Sequence, residues 1–380
     1  MWYALRVRVV VDYRPALRER TGVGEYVHQL VRAFARQWPA SGDRVAAFTS
    51  SWKDRPLPGL AAELGVEVID RRLPASALNF LWHRCGWPPA ELLCGPADVF
   101  HAAHPLLMPA HWGAQVITIH DLFFLSHPEQ TAAEIRRDYV SLAPTHARRA
   151  DAIVTPSQYT ATLITSMLGV PAERVHVCPP GPPTWSGLGR GPHVPANGYI
   201  LFIGTLEPRK NVGALLDAYE RLLGRGGTVP DLVLAGRTTA AATGWLERIG
   251  RAPLAGRVRH LGYVAGSARE AVYAGARLVV LPSLDEGFGL PVLEAMSAGV
   301  PVLMANRGAL PEVAGQAGVL VDPADVDSFE RALYDLVRDD AYATHCAERG
   351  LRRASDFSWS ATATALRQAY TAAIARRRTR

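Results

Sequence analysis

The feature that most constrains this chain is a repeated alternation of short, β-branched apolar runs with longer segments whose apolar residues have helical spacing. The apolar runs show little hydrophobic–polar alternation, which is typical of strands buried on both faces of a parallel sheet. Each run is followed by a helical segment, so helices are expected to cover those faces. The pattern predicts an α/β protein built from doubly wound parallel sheets.

A stretch rich in proline and glycine interrupts this alternation at residues 179–198. Because such composition ends helices and central strands, we interpret 181–198 as a linker between two domains. A complete strand–helix series follows it, and 380 residues are enough for two cores. The predicted organisation is a first domain over 1–180, a second over 199–358, and a C-terminal helix over 359–376 that returns to the first domain.

Composition narrows the class of protein. No run approaches the roughly 20 apolar residues of a membrane helix, and the four cysteines lack metal-type spacing, so a cytoplasmic protein with reduced thiols is expected. The net charge of +6 favours phosphorylated ligands or an anionic membrane surface, and the tail at 376–380 carries four arginines of this excess. No nucleic-acid-binding module is visible, so no nucleic-acid partner is predicted.

The densest functional signal is the segment 281–294, LPSLDEGFGLPVLE. A strand is predicted to end near Leu281, and a helix to begin near Pro291 after a glycine-containing loop. At the carboxyl edge of a parallel sheet, the first turn of such a helix offers N–H groups and a positive dipole end to a diphosphate. Glu286 in the loop can then face a sugar, and Glu294, one turn into the helix, can accept the hydroxyl protons of a ribose.

A second strand-to-helix turn lies at 202–211, FIGTLEPRKN, with Asn211 as the expected N-cap. Arg209 and Lys210 oppose the helix dipole there, which indicates an anionic partner. Lys210 is one of two lysines among 41 basic residues, the other being Lys53. A lysine retained in an arginine-rich chain is a candidate for chemistry that arginine cannot perform.

These two turns and the segment TGVGEY at 21–26 resemble the retaining glycosyltransferases of family four. The segments NRGALPEVAG at 306–315 and FSW at 357–359 are similar to the mannosyltransferase-B-like branch of that family. The resemblance extends from about residue 6 to residue 370. It implies the GT-B fold, in which two Rossmann-like domains face a central cleft, the first on the acceptor side and the second binding the nucleotide-sugar donor.

The resemblance also implies roles for individual residues. Glu286 would contact the transferred sugar, Lys210 with Arg209 would neutralise the leaving diphosphate, and His120 matches the cleft histidine of the family. Many members have arginine where this chain has Thr205, so Arg209 is expected to compensate for the missing charge. The donor-binding residues implied by the resemblance are Gly22, Gly24, Thr205, Gly287, Phe288, Gly289, Leu290 and Glu294.

The implied activity is transfer of a hexose, with mannose as the first choice, from a nucleotide diphosphate sugar to a saccharide or lipid-linked acceptor in polysaccharide biosynthesis. Neither a metal nor another cofactor is expected, since GT-B enzymes generally work without one, and the Asp325-x-Asp327 pair is interpreted as helix capping. A nucleotide-sugar epimerase of related fold and a non-catalytic nucleotide-sugar-binding protein remain alternatives. A dinucleotide oxidoreductase is disfavoured because no complete G-x-G-x-x-G is present. Peripheral contact of the basic tail with the inner face of the membrane is a further hypothesis.

Overall fold

The structure is a computed structural model that describes residues 6–17, 20, 22–38 and 42–380, without the side chains of residues 134 and 267. The chain divides into two compact units, each with its own sheet. Unit 1 comprises the described residues up to Gly181 together with Ser358–Arg380, and unit 2 comprises Pro182–Phe357. Every pairing between strands within the two sheets is parallel, so the predicted doubly wound α/β class is confirmed.

The strands of unit 1 are short, and those between the two edge strands are mostly buried. They are β1 (Arg8–Asp12), β2 (Arg44–Ser50), β3 (Glu67–Arg71), β4 (Val99–Ala102), β5 (Ala114–Thr118), β6 (Ala152–Thr155) and β7 (Val175–Val177). They lie in the order β3-β2-β1-β4-β5-β6-β7, with Val10 of β1 opposite Ala46 on one side and Phe100 on the other. The strand order reverses between β1 and β4, where a doubly wound sheet opens a crevice at its carboxyl edge.

Helices cover both faces of this sheet. They are α1 (Gly22–Gln37), α2 (Leu60–Leu64), α3 (Ala75–Phe80), α4 (Ala90–Cys94), α5 (Phe123–Ser126), α6 (Ala133–Arg149) and α7 (Gln158–Leu168). The helical spacing at 24–37, 132–149 and 157–168 predicts α1, α6 and α7 to within two residues. The sequence patterns did not predict α2, α3, α4 and α5, because four to six residues are too few to show a helical period.

The sheet of unit 2 repeats this plan with its own set of strands. They are β8 (Tyr199–Ile203), β9 (Leu232–Ala235), β10 (Val258–Gly262), β11 (Ala276–Leu281), β12 (Val302–Ala305) and β13 (Val319–Val321). Their order is β10-β9-β8-β11-β12-β13, so the reversal falls between β8 and β11. The strand predicted at 301–304 begins one residue later, because Pro301 has no N–H to give to a ladder.

The described residues of unit 2 form seven α-helices, and five of the seven are predicted by helical spacing at 212–223, 244–251, 268–275, 291–297 and 327–338. The seven helices are α8 (Val212–Gly224), α9 (Thr243–Ile249), α10 (Gly266–Ala274), α11 (Leu290–Ser297), α12 (Leu310–Ala314), α13 (Val326–Arg338) and α14 (Asp340–Ala354). The exceptions are the five-residue α12 and the much longer α14, which the apolar pattern did not reveal. The buried face of α14 consists of small residues, and Gly350 lies so close to Met296 of α11 that an added Cβ would be 3.3 Å from Met296 Cγ.

The last helix, α15 (Trp359–Arg378), belongs to unit 1. Ser358 caps it by accepting a hydrogen bond from Ala361 N at 3.1 Å, and Tyr370 packs its ring 5.9 Å from that of Phe34 on α1. Gly181 passes beside the start of α15, where an added Cβ would lie 2.3 Å from Trp359 N. A residue with a side chain does not fit at position 181, so glycine there has a packing reason.

Candidate active site

The loop between β11 and α11 carries Glu286 at the carboxyl edge of the unit 2 sheet. Gly289 precedes the helix with φ +90, a left-handed conformation that favours glycine, and Pro291 lies in the first turn as predicted. The next loop closes on this one, because Ala309 N donates to Glu286 O at 2.8 Å. Gly308 makes that approach feasible, since a Cβ at this position would lie 2.6 Å from Glu286 N. The two glycine-containing loops therefore hold the backbone of Glu286 from both sides.

The carboxylate of Glu286 is the centre of a buried, charged cluster, with only 6% of the residue exposed. Lys210 Nζ lies 2.5 Å from Oε1, and Ser283 Oγ donates to the same oxygen at 2.8 Å. Arg209 Nη1 lies 3.7 Å from Oε2. Burial by itself raises the pKa of Glu286, but the charges of Lys210 and Arg209 and the hydrogen bonds it accepts hold the pKa below its usual value. Glu286 is therefore an ionised carboxylate.

The turn after β8 brings both cations to this cluster. Residues Pro208–Lys210 form one turn of 3-10 helix, and Leu284 N donates to Arg209 O at 2.8 Å, which joins the two loops. Arg209 also contacts Glu207 Oε1 at 3.2 Å. The anionic partner that the sequence argument required for the two cations is thus supplied in this structure by carboxylates of the chain itself.

Two other predictions for this turn have different outcomes. Asn211 occupies the position before α8 but makes no capping hydrogen bond with its side chain, which corrects the expected capping role. Its backbone is left-handed, with φ 53, a conformation that asparagine tolerates better than most residues. Thr205 lies half-buried in the same loop, beside Gly236, where an added Cβ would lie 3.3 Å from Thr205 N.

Glu294 lies one turn into α11 and is held by two side chains of α10. Tyr273 OH donates to Glu294 Oε2 at 2.7 Å, and Arg269 Nη2 pairs with the same oxygen. Only 5% of Glu294 is exposed. The sequence indicated only that Glu294 lies near the start of a helix. In the structure, two side-chain donors of α10 also orient its carboxylate.

The remaining loop residues contribute backbone and packing. Phe288 is buried and packs its ring edge-on against Phe357 at 5.8 Å, so its side chain belongs to the core. Gly287 and Leu290 flank it in the loop and at the start of α11. Binding of an anion by the N-terminal end of α11 stays a prediction.

Unit 1 places a second group of polar residues at the carboxyl edge of its own sheet. His120 follows β5, and its Nε2 lies 3.2 Å from Ala103 O, while Tyr26 of α1 packs edge-on at 5.1 Å between ring centroids. Burial lowers the pKa of His120, so the imidazole is neutral. Asp121, the next residue in the chain, accepts a hydrogen bond from Phe123 N at 3.2 Å.

Gly22 and Gly24, the two predicted donor-binding glycines at the start of α1, have different surroundings. Gly22 is exposed at the first position of the helix. Gly24 is buried against the preceding turn, where an added Cβ would lie 2.8 Å from Pro15 O, so packing alone requires glycine at this position. Thr21, which opens the quoted segment, lies outside the described residues.

Sequence reasoning missed several polar side chains at these edges. Ser283 lies inside the quoted segment 281–294, so its position three residues before Glu286 was an available signal. Arg269 and Tyr273 had no such signal, since the sequence does not say that α10 packs beside α11. In unit 1 the missed group is the buried Asp12, which pairs with Arg14 at 2.6 Å and with His104 Nε2 at 3.2 Å.

Among the residues that the structure describes, no three His, Cys, Asp or Glu side chains are grouped to hold a metal ion. Asp325 accepts from Ser328 N at 3.0 Å and caps α13, as predicted, while Asp327 pairs with Arg221. Across the same described ranges, no helix has both the length and the apolar character needed to cross a bilayer.

Comparison with known proteins gives matches over both units. The family described as Glycosyltransferase Family 4 matches residues 20–184, and the family described as Glycosyl transferases group 1 matches residues 197–339. The O-antigen chain mannosyltransferase B of Escherichia coli is 33% identical over 281 residues, which cover 72% of this chain and 74% of the relative. The MMP alpha-(1->4)-mannosyltransferase of Mycolicibacterium hassiacum is 33% identical over 308 residues, covering 76% and 74%.

Solved structures share the fold at lower sequence identity. The sucrose-phosphate synthase from Thermosynechococcus elongatus superposes with a TM-score of 0.74 at 20% identity, over 96% of this chain and 98% of that chain. The Anabaena HepE protein in complex with UDP-glucose superposes with a TM-score of 0.69 at 17% identity, over 96% and 99%. These likenesses concern the path of the backbone.

Proposed function

This chain belongs to glycosyltransferase family 4, and from that premise we propose that it transfers a hexose from a nucleotide diphosphate sugar with retention of the anomeric configuration. It is a glycosyltransferase with the GT-B fold, so the family indicated by the sequence motifs is confirmed. The relatives named above are transferases and include no epimerase, so the epimerase alternative has no support. Because these relatives are named as enzymes, the non-catalytic alternative has no support either.

The proposed sugar is mannose and the proposed acceptor is a saccharide, either free or lipid-linked. Two relatives at 33% identity are named as mannosyltransferases, and the name of one refers to the O-antigen chain. HepE was solved with UDP-glucose, which supports a nucleotide sugar as the donor without deciding its base.

The observation that carries the proposal is the contact between Lys210 and Glu286. In a nucleotide sugar, the anomeric carbon is joined directly to the diphosphate through one oxygen. A site for the reacting centre therefore needs a cation for the phosphate beside a carboxylate for the sugar. Lys210 Nζ and Glu286 Oε1, 2.5 Å apart, are such a pair, and Arg209 adds a second cation.

In the proposed mechanism, Lys210 and Arg209 stabilise the negative charge that grows on the diphosphate as the bond between C1 and the phosphate oxygen breaks. Preorganised positive charge of this kind is usually the largest catalytic contribution. Ionised Glu286 supports the positive charge that develops on the sugar ring. The acceptor oxygen attacks C1 from the face that the diphosphate leaves, and the departing phosphate takes the acceptor proton. The α11 dipole and the two cations supply the positive charge that a metal provides elsewhere, so we propose that no metal is required.

We also propose that unit 1 contacts an anionic membrane surface in the cytoplasm. The end of α15 lies near one exposed aromatic residue: Arg377 Nη2 donates to His111 O at 2.9 Å, and the neighbouring Trp112 is 78% exposed. Arg380 donates to Arg149 O at 3.1 Å, which brings a further arginine to the same region. Basic side chains next to an exposed tryptophan suit the interface of an anionic bilayer.

The proposal is tested by incubating the purified chain with GDP-mannose, UDP-glucose and other nucleotide sugars, with and without saccharide and lipid-linked acceptors. We expect transfer in the presence of excess EDTA, and a product that keeps the anomeric configuration of the donor by NMR. Inversion at C1 would contradict the retaining mechanism. Activity that disappears with EDTA and returns with magnesium or manganese would contradict metal independence.

A further inference from the structure

Helix α10 brings two hydrogen-bond donors to one oxygen of Glu294. Arg269 and Tyr273 are four residues apart, so they lie on the same face of the helix. Tyr273 OH donates to Oε2 of Glu294 at 2.7 Å and also contacts Pro291 O at 3.3 Å, while Arg269 Nη2 pairs with the same Oε2. The two donors approach from one helix that is separate in sequence from α11. The carboxylate plane of Glu294 is therefore set by tertiary contacts.

The hydroxyl of Tyr273 is suited to this role because it remains protonated. Tyr273 is fully buried, and burial together with the neighbouring charge of Glu294 raises its pKa well above the usual 10. A buried phenol that keeps its proton is a permanent donor to a carboxylate. Hydrogen bonds to charged groups are stronger and more directional than neutral ones, so Tyr273 restricts the rotation of Glu294.

The segment that follows the unit boundary packs on the same helix. Trp185 lies with its ring centroid 4.9 Å from that of Tyr273, at an interplanar angle of 36°. Gly187 N donates to Glu270 Oε1 at 2.8 Å, and His193 Nε2 lies 2.7 Å from Ala274 O. Residues 182–198 thus contact α10 at three successive points. They also contact the end of α11, where an added Cβ at Gly189 would lie 2.3 Å from Ser297 O.

We propose that Tyr273 and Arg269 are positioning residues for Glu294, and that Trp185 holds the ring of Tyr273 in place. Their function is to present the Glu294 carboxylate to the cis-diol of the donor ribose, so they determine the preference for ribonucleotides over 2′-deoxyribonucleotides. The inference rests on the proposed donor site. It gives residues 182–198 an indirect role in donor binding, through their packing against α10, and assigns them no contact with the donor.

The test measures the dissociation constants of GDP and 2′-deoxy-GDP, and of UDP and 2′-deoxy-UDP, by titration calorimetry. The original chain should bind one ribonucleotide more tightly than its 2′-deoxy counterpart. Tyr273→Phe keeps the ring and removes the hydroxyl, and it should reduce that preference by about three- to ten-fold. Steady-state kinetics should show a higher KM for the nucleotide sugar, with kcat within about two-fold of the original value.

The matched control is Tyr199→Phe. Tyr199 OH donates to Val272 O at 2.6 Å, so this variant loses a hydrogen bond to the same helix without touching Glu294. It should keep the ribose preference. Trp185→Ala should reduce the preference as Tyr273→Phe does, and Trp185→Phe should restore most of it. Arg269→Lys, which retains the charge but loses the planar fork, provides a second variant if Tyr273→Phe does not fold.

Three outcomes contradict the inference in distinguishable ways. If neither GDP nor UDP binds, the proposed donor site fails and the inference fails with it. If a ribonucleotide binds with a clear preference that Tyr273→Phe and Arg269→Lys leave unchanged, donor binding stands and the positioning role is wrong. The same conclusion follows if Tyr273→Phe and Tyr199→Phe reduce the preference equally, because the effect would then come from general loosening of α10.

Discussion

The two units share a sheet topology but differ in the chemistry at the edge where the strand order reverses. In unit 1, the carboxyl ends of the strands present imidazoles: His101 is fully buried between Tyr370 OH and Thr118 Oγ1, and His120 lies against Ala103 O. In unit 2, the corresponding edge presents the ionised Glu286 with Lys210 and Arg209. Burial is similar at both edges, so exposure does not explain the difference.

The two edges differ in how they compensate the free-energy cost of burying polar groups. Burial lowers the pKa of His101 to about 3, so unit 1 buries neutral rings that exchange hydrogen bonds with hydroxyl and carbonyl groups. At this edge Asp12 and Arg14 form a buried charged pair, and farther away unit 1 also buries Asp43 and Asp151. The unit 2 edge instead gathers several buried charges and compensates them with partners. We infer that the unit 1 edge suits a hydroxyl-rich acceptor and the unit 2 edge suits a diphosphate.

The largest expected effect of this contrast is a selective loss of unit 1 stability in mild acid. Burial lowers the pKa of His28 and His146 to about 4, of His101 to about 3 and of His83 to about 2, from 6.5. Below pH 6.5 the unfolded chain takes up protons that folded unit 1 does not. The stability contributed by the neutral rings is complete above pH 6.5 and is lost as the pH falls, at roughly 1.4 kcal/mol per pH unit for each histidine.

Hydrogen exchange followed from pH 7 to pH 4.5 checks this prediction. Unit 1 should lose protection first, because the lowered pKa of Glu286 in unit 2 affects stability only below about 4.5. In a His146→Gln variant, the pH dependence of unit 1 stability should become shallower by one proton. If unit 2 lost protection before unit 1 as the pH falls, the stated difference between the two units would be contradicted.

The next largest effect is expected at Lys210, whose ammonium group places a positive charge beside one oxygen of Glu286. Lys210→Arg should reduce kcat by about ten-fold with the thermal midpoint nearly unchanged. Lys210→Ala should reduce kcat by on the order of 100-fold and also lower the thermal midpoint, because the buried Glu286 loses a charged partner. Lys210 Nζ lies 2.5 Å from Glu286 Oε1 and Arg209 lies beside the other oxygen, so an arginine would place a second, broader guanidinium fork at the same carboxylate. Arginine in place of the exposed Lys53 is the matched control and should leave kcat unaltered. A Lys210→Arg variant with the original rate would show that any cation suffices.

Glu286 and Glu294 should separate catalysis from binding within unit 2. Glu286→Gln should lower kcat and leave nucleotide affinity within a few-fold, because the amide keeps the shape but loses the charge beside Lys210. Glu294→Gln should chiefly weaken nucleotide binding, by about ten-fold, since hydrogen bonds to a charged group contribute about 1.5–3 kcal/mol. Kinetics and calorimetry on both variants provide the measurements. Equal effects on both parameters in both variants would contradict the division of roles.

The smallest expected effect is on membrane contact, a proposed property of unit 1. Joint replacement of Arg376 and Arg378 by alanine should weaken cosedimentation with phosphatidylglycerol vesicles, by about 1 kcal/mol for each charge at low salt. These two are preferred to deletion of the tail, because Arg377 and Arg380 bond to backbone carbonyls of unit 1. Joint replacement of Arg352 and Arg251, both exposed in unit 2, by alanine removes the same two charges and is the control for net charge. Equal vesicle binding by both variants would leave the α15 arginines as ordinary solvated surface.

Much of the fold could be predicted because its signals are local. Buried parallel strands appear as apolar runs, so the strands of both sheets were visible, and Pro291 indicated where α11 begins. The features that the sequence did not predict correctly also have local causes. The helix α14 has a buried face of small residues that gives no apolar period, and Asn211 has a backbone conformation that its residue type permits but does not require.

The sequence by itself determined the alternation of strands and helices, the glycine turns and the family, because each depends on residues close together in the chain. Tertiary structure alone decided which charges meet. Lys210 and Glu286 are 76 residues apart, and Tyr273 and Glu294 are 21 apart. Such partners are selected when sheet edges and helices pack, since a buried carboxylate requires donors and accepts whichever ones the fold brings within reach. The neutral state of His120 has the same origin, because desolvation depends on everything packed around a side chain and not on its neighbours in the sequence.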